Sequence, residues 1–91
     1  MALFQRIRQK ILDRAYYLSS HAEEEMELDD LERADVEHAI LHGTVEERYT
    51  EDLRGTRYRL CGPARDGRTM DVICRFREIG DLIIITVYAR E

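Results

Sequence analysis

No stretch of this sequence is apolar for long enough to cross a bilayer as a helix. The longest such run is "LIIITVYA", well short of the ~20 residues a spanning helix needs. The first residues, "MALFQRIRQKILDR", are amphipathic but lack the apolar core and small-residue cleavage site of a secretory signal. A cytoplasmic protein is therefore expected, with no membrane partner. Cysteine is scarce: Cys61 and Cys74 have neither the spacing of a metal or redox pair nor a secretory context, and read as buried thiols in strands. Repeats, low-complexity segments and linkers are absent, and Pro63 is the only proline. Nothing resembles a phosphate loop, a nucleophile elbow or a zinc cluster. Those enzyme classes are set aside, and no cofactor or metal is expected.

What remains is 91 residues, enough for one core and too few for two, so residues 1–91 read as a single domain. The net charge of −5 conceals a division. Residues 1–20 carry +3, residues 21–52 carry −11, and residues 53–91 carry +3. Such segregation predicts faces of opposite charge.

The hydrophobic period divides the chain further. Residues 1–15 read as an N-terminal helix, with Leu3, Ile7, Ile11 and Leu12 at helical spacing. Residues 16–43 form a helical part. It begins with a short extended piece at "AYYL" and continues with a helix capped by Ser19 or Ser20, where Glu23 completes a capping box with Ser20. A further short helix carries the stripe Leu31, Val36, Ala39 and Ile40, and Gly43 stands where a C-terminal cap belongs. His38 and His42 share a helix face but have no neighbouring ligands to complete a zinc site.

From residue 44 to 91 the period is two, which predicts an antiparallel sheet. In "TVEERYT" Val45 and Tyr49 face away from Glu46 and Arg48. In "TRYRLCG" Tyr58 and Leu60 oppose Arg57 and Arg59. In "RTMDVICRFRE" Met70, Val72, Cys74 and Phe76 oppose Asp71, Ile73, Arg75 and Arg77. The fold class expected is α+β, with two or three N-terminal helices on one face of a four-stranded antiparallel meander. A two-residue loop at Gly80-Asp81 would pair Phe76 with Ile85, Cys74 with Val87, Arg75 with Thr86 and Ile73 with Tyr88. The "RDG" turn leaves two registers open. A three-residue loop there would put Arg57 and Arg59 on the same face as Arg75 and Arg77.

A sheet face with arginines, a threonine and a tyrosine suits a phosphate backbone, with arginine supplying charge and tyrosine stacking. The same groups suit RNA cleavage by attack of the 2′-hydroxyl, which needs proton transfer and cations around phosphorus. His21 and Tyr88 are the candidate catalytic groups. Arg57, Arg59, Arg75, Arg77 and Thr86 are the candidate phosphate-binding residues. The plain alternative is that these side chains are a solvated strand face and His21 an ordinary helix-start residue.

The segments "LSSHAEEEM", "DVEHAILHGTVEERY", "GTRYRLCGPARDGRTMDVICR" and "LIIITVY", spanning roughly residues 17 to 88, resemble the small bacterial proteins of the domain of unknown function 4258 family. That family is grouped with RelE, BrnT and MqsR-like toxins of the barnase–EndoU–colicin–RelE fold. The resemblance implies a metal-independent RNA-cleaving toxin of a toxin–antitoxin pair, partnered by RNA and by a zinc-finger antitoxin of the MqsA kind. It leaves open a homodimer in which the first helix swaps onto a second copy. The chain departs from the family's pattern at Glu25, where arginine is common, and at Asp29 and Asp30, where a basic residue and glycine are common. Carboxylates beside an RNA site would repel phosphate. The alternative is a non-catalytic binding module that keeps the fold and docks a protein partner through its acidic helices.

Overall fold

The computed structural model describes residues 2–51 and 53–90. They form α1 (Leu3–Leu12), β1 (Tyr16–Leu18), α2 (Ser20–Leu28), α3 (Arg33–His42), β2 (Thr44–Tyr49), β3 (Arg57–Pro63), β4 (Thr69–Phe76) and β5 (Leu82–Ala89). The sheet has five strands in the order β1-β5-β4-β3-β2. β1 pairs with β5 in parallel, and every other neighbour is antiparallel. The expected four-stranded meander thus becomes a five-stranded mixed sheet. The "AYYL" piece is the added strand: its alternation buries Tyr16 and Leu18 and leaves Tyr17 outside.

One apolar cluster joins the helices to one face of the sheet. Ile7 and Ile11 of α1 enter it, whereas Leu12, expected on the same stripe, is exposed. α1 packs on α3 of its own chain, α3 lies over β3 and β4, and α2 runs beside β5. Leu31, Val36, Ala39 and Ile40 are all buried as their spacing predicted. Gly43 ends α3 but has extended backbone, φ −101° and ψ −166°. Glycine is needed there because of crowding: a Cβ would lie 2.3 Å from the Cys61 carbonyl oxygen. At Gly62 a Cβ would lie 2.0 Å from the Ala39 oxygen. The two glycines let the end of α3 sit directly on the β3 backbone.

The hairpins set which side chains share the open face. Pro63 opposes Thr69 and the Ala64 N–H donates to the Arg68 carbonyl at 2.7 Å, so Arg65-Asp66-Gly67 is a three-residue loop. Arg57 then stands directly opposite Arg75, and Arg59 opposite Ile73. The last hairpin differs from its expected form. Phe76 pairs with Leu82 and the Arg77 N–H donates to the Asp81 carbonyl at 2.8 Å, so Glu78-Ile79-Gly80 is a three-residue loop, clamped further by the Arg77 guanidinium on the Asp81 carboxylate. Cys74 consequently opposes Ile84, Arg75 opposes Ile83, Asp71 opposes Tyr88 and Ile73 opposes Thr86, with Ile85 as an extra, bulged residue. A second bulge at Glu46 turns Tyr49 onto the open face opposite Arg57, so it does not share a face with Val45.

Candidate functional site

A strand edge left bare would expose unsatisfied backbone groups, and β5 outruns the three-residue β1. The start of α2 covers the difference. The Ser19 N–H donates to the Ile84 carbonyl at 2.9 Å, and the Ser19 hydroxyl donates to the Ile85 carbonyl at 2.9 Å. The same hydroxyl accepts from the Ala22 N–H at 3.0 Å and so caps α2. Further along, the Val87 N–H donates to Glu25 Oε1 at 3.1 Å and the Ala89 N–H to Asp29 Oδ2 at 3.0 Å. These two carboxylates, expected to repel RNA, are strand-edge acceptors. Asp30 has a left-handed backbone, φ 54°, a conformation that glycine adopts most readily. Its carbonyl accepts from Arg68 at 3.0 Å.

This docking fixes the first turn of α2 over one end of the open face. There Ser19, Ser20, His21, Arg54, Arg57, Arg75, Ile83 and Ile85 line a cleft of about 390 Å³. No carboxylate lines it among the described residues. The His21 side chain is 63% exposed, and its Nε2 lies 3.2 Å from Glu25 Oε1, the oxygen that also accepts from Val87. A proton on Nε2 would lie beside this carboxylate, and Nδ1 would then be the nitrogen open to accept one. The arginines and the first turn of a helix both favour an anion in the cleft.

The remaining expected site residues stand elsewhere. Arg59 contacts Glu46 at 3.0 Å, Asp71 at 3.3 Å and Glu47 at 3.7 Å. Tyr88 opposes Asp71, roughly 10 Å along the strand from Ile85. Burial raises the Tyr88 hydroxyl above its usual range, helped by the adjacent Asp71 carboxylate to which it bonds. Arg90 reaches Asp71 and Glu46 at 2.8 and 3.0 Å. Thr86 lies on the open face beside Ile73 and does not line the cleft. Arg77 is committed to Asp81, with its guanidinium 4.4 Å from the Tyr17 ring centre. Of the seven expected residues, the cleft therefore gathers His21, Arg57 and Arg75 and leaves out Arg59, Arg77, Thr86 and Tyr88.

Glu46, Cys61 and Asp71 offer ligand atoms within 4.8 Å of one another. Arg59 and Arg90 bridge both carboxylates, so guanidinium groups already supply the positive charge. Burial raises the Cys61 thiol, which disfavours the thiolate a metal would need. Burial pushes Cys74 up to about 12, inside the core. His38 donates Nδ1–H to the Pro63 carbonyl at 2.8 Å and stacks near His42, a structural arrangement.

Sequence reasoning missed Tyr17, Tyr49, Arg54, Ser20, Ile83 and Ile85 as neighbours of this cleft. The alternation in "AYYL" was enough to turn Tyr17 outward. Tyr49 was hidden by the Glu46 bulge. A family profile described as domain of unknown function (DUF4258) matches residues 18–89. No curated protein and no solved structure matches the chain.

Proposed function

The chain belongs to the family described as domain of unknown function DUF4258, and from that premise and the cleft geometry we propose that it is an RNA-cleaving protein of the toxin kind. The observation that carries this reading is the convergence of His21 with Arg57 and Arg75 in one cleft free of carboxylates among the described residues. Helices on one face of a curled sheet, with the other face open, are also what a RelE-, BrnT- or MqsR-like fold would present. An antitoxin that covers the open face would then silence the site.

In the reaction proposed, Arg57 and Arg75 hold the phosphate and stabilise the charge that builds on its oxygens. His21 Nδ1 takes the proton from the 2′-hydroxyl as its oxygen bonds to phosphorus. The bond from phosphorus to the 5′-oxygen breaks, and the leaving oxygen takes a proton from water in the open cleft. The products are a 2′,3′-cyclic phosphate and a 5′-hydroxyl. Glu25 is a positioning residue that fixes the imidazole, and arginine supplies the charge that a metal supplies in other nucleases.

The alternative, docking of a partner through acidic helices, draws less support from the surface. Glu25 and Asp29 bind the β5 edge, Asp35 binds Arg65 and Glu37 accepts from the Tyr16 hydroxyl, so the acidic surface left for docking is Glu23, Glu24, Glu27, Asp30 and Glu32, all exposed. The test is induced expression with total RNA read from each culture. Wild type should arrest growth with RNA loss, His21→Ala should relieve both, and Tyr88→Phe should still arrest. Normal growth with intact RNA in the wild type would defeat the proposal.

A further inference from the structure

The pairing registers align one continuous row across all five strands of the open face: Tyr17, Ile83, Arg75, Arg57 and Tyr49. The tyrosines stand at its two ends, four strand spacings or about 19 Å apart. Each ring has an arginine against it. Arg77 lies 4.4 Å from the Tyr17 ring centre and Arg57 lies 5.4 Å from that of Tyr49. The cleft described above is flanked by two others that share its arginines. One contains Tyr49, Glu51 and Arg57, and the other contains Arg75, Phe76, Arg77 and Glu78.

The charges of the three clefts differ in a useful way. Each outer cleft includes one carboxylate, whereas the central one has none among the described residues. A phosphate is therefore favoured in the centre. The cleft at Tyr49 suits an uncharged nucleoside part, whose amino groups Glu51 can accept from and whose face the ring can cover. Tyr17 lines none of the three clefts and stands exposed beyond Ile83 at the other end of the row.

Resting on the reading of the central cleft as an RNA site, we propose that the open face takes a short single-stranded RNA laid across the strands. The central phosphate of a short segment sits between Arg57 and Arg75, and the first and last bases of the segment stack on Tyr17 and Tyr49. A span of about 19 Å corresponds to roughly four nucleotides, the small end of the footprints such faces take. Bases that are paired in a duplex present no face to either ring, so the partner is single-stranded.

The experiment is fluorescence anisotropy of the full chain with fluorescein-labelled 2′-O-methyl oligonucleotides of two to eight nucleotides, which cannot be cleaved. Affinity should rise up to about four nucleotides and then level off. Tyr17→Ala and Tyr49→Ala should each weaken binding by about 5- to 150-fold. Tyr17→Phe and Tyr49→Phe should bind like wild type, because the stacking surface is kept. A duplex of the same sequence should fail to compete. Unchanged binding in both alanine variants, equal competition by the duplex, or no binding of any oligonucleotide would overturn the inference. Tyrosine-dependent binding without cleavage of ordinary RNA would support the inference while removing the nuclease reading. Cleavage with binding indifferent to both tyrosines would do the reverse.

Discussion

Asp35 is a buried carboxylate whose partners are all accounted for. It accepts from the Arg65 backbone N–H at 3.0 Å, from the Arg65 side chain at 3.0 Å and from the Glu32 N–H at 2.9 Å. The Arg65 guanidinium is the main reason that its carboxyl falls from 3.8 to about 2. A carboxyl whose value is lowered by folding adds stability above its unfolded value and loses it as pH falls through the folded one. Wild-type stability should thus decline between about pH 4 and pH 2. Urea titrations should show a shallower decline over that window for Asp35→Asn, and a parallel decline would show that Asp35 is not the group responsible. Single residues were legible from sequence in uneven fashion. His21, Arg57 and Arg75 could be named from a helix start and a strand alternation, but whether Arg57 shares a face with Arg75 depended on the hairpin register, which the three-residue loop decides. Tyr88 and Arg59 were on the correct face, yet their engagement by Asp71, Glu46 and Arg90 depends on contacts between β2, β4 and the chain's end that no local pattern encodes.

At the scale of elements, the α3–β3 contact is the tightest constraint in the molecule. Adding a methyl at Gly62 places it 2.0 Å from the Ala39 oxygen, and both groups are backbone or fixed to it. Neither can swing aside, so α3 or β3 must shift as a unit. Overpacking of this kind costs about 1–3 kcal/mol or more, which for a domain of this size lowers Tm by roughly 5–20 °C. Thermal unfolding of Gly62→Ala measures it, and a Tm within a degree or two of wild type would contradict the packing described. Helices α1, α2 and α3 and the strands β2 to β5 could be read from periodicity. β1 was visible only as an extended piece, because three residues cannot announce a parallel partner 66 residues away. The last hairpin went astray for a different reason. "GD" is a good two-residue turn signal, but the Arg77–Asp81 ion pair holds a wider loop, and the bulge at Ile85 adjusts the strands to it.

For the whole molecule, the charge segregation seen along the chain resolves into two kinds of surface. Four carboxylates of the acidic third are turned inward, Glu25 and Asp29 to close the β5 edge, Asp35 to hold Arg65 and Glu37 to meet Tyr16, while the others among the described residues stay exposed. The basic last third supplies Arg54, Arg57 and Arg75 to one end of the open face, where the N-terminal turn of α2 brings His21. A chain of net charge −5 can in this way present a local site for an anion. The account therefore stands on that one cleft. Its most direct test incubates the purified chain with a single-stranded RNA and reads both the rate and the chemistry of the new ends. The wild type should leave 2′,3′-cyclic phosphate and 5′-hydroxyl ends. His21→Ala should be about 100- to 10,000-fold slower. RNA left intact by the wild type, or cleaved as fast by His21→Ala, would contradict it.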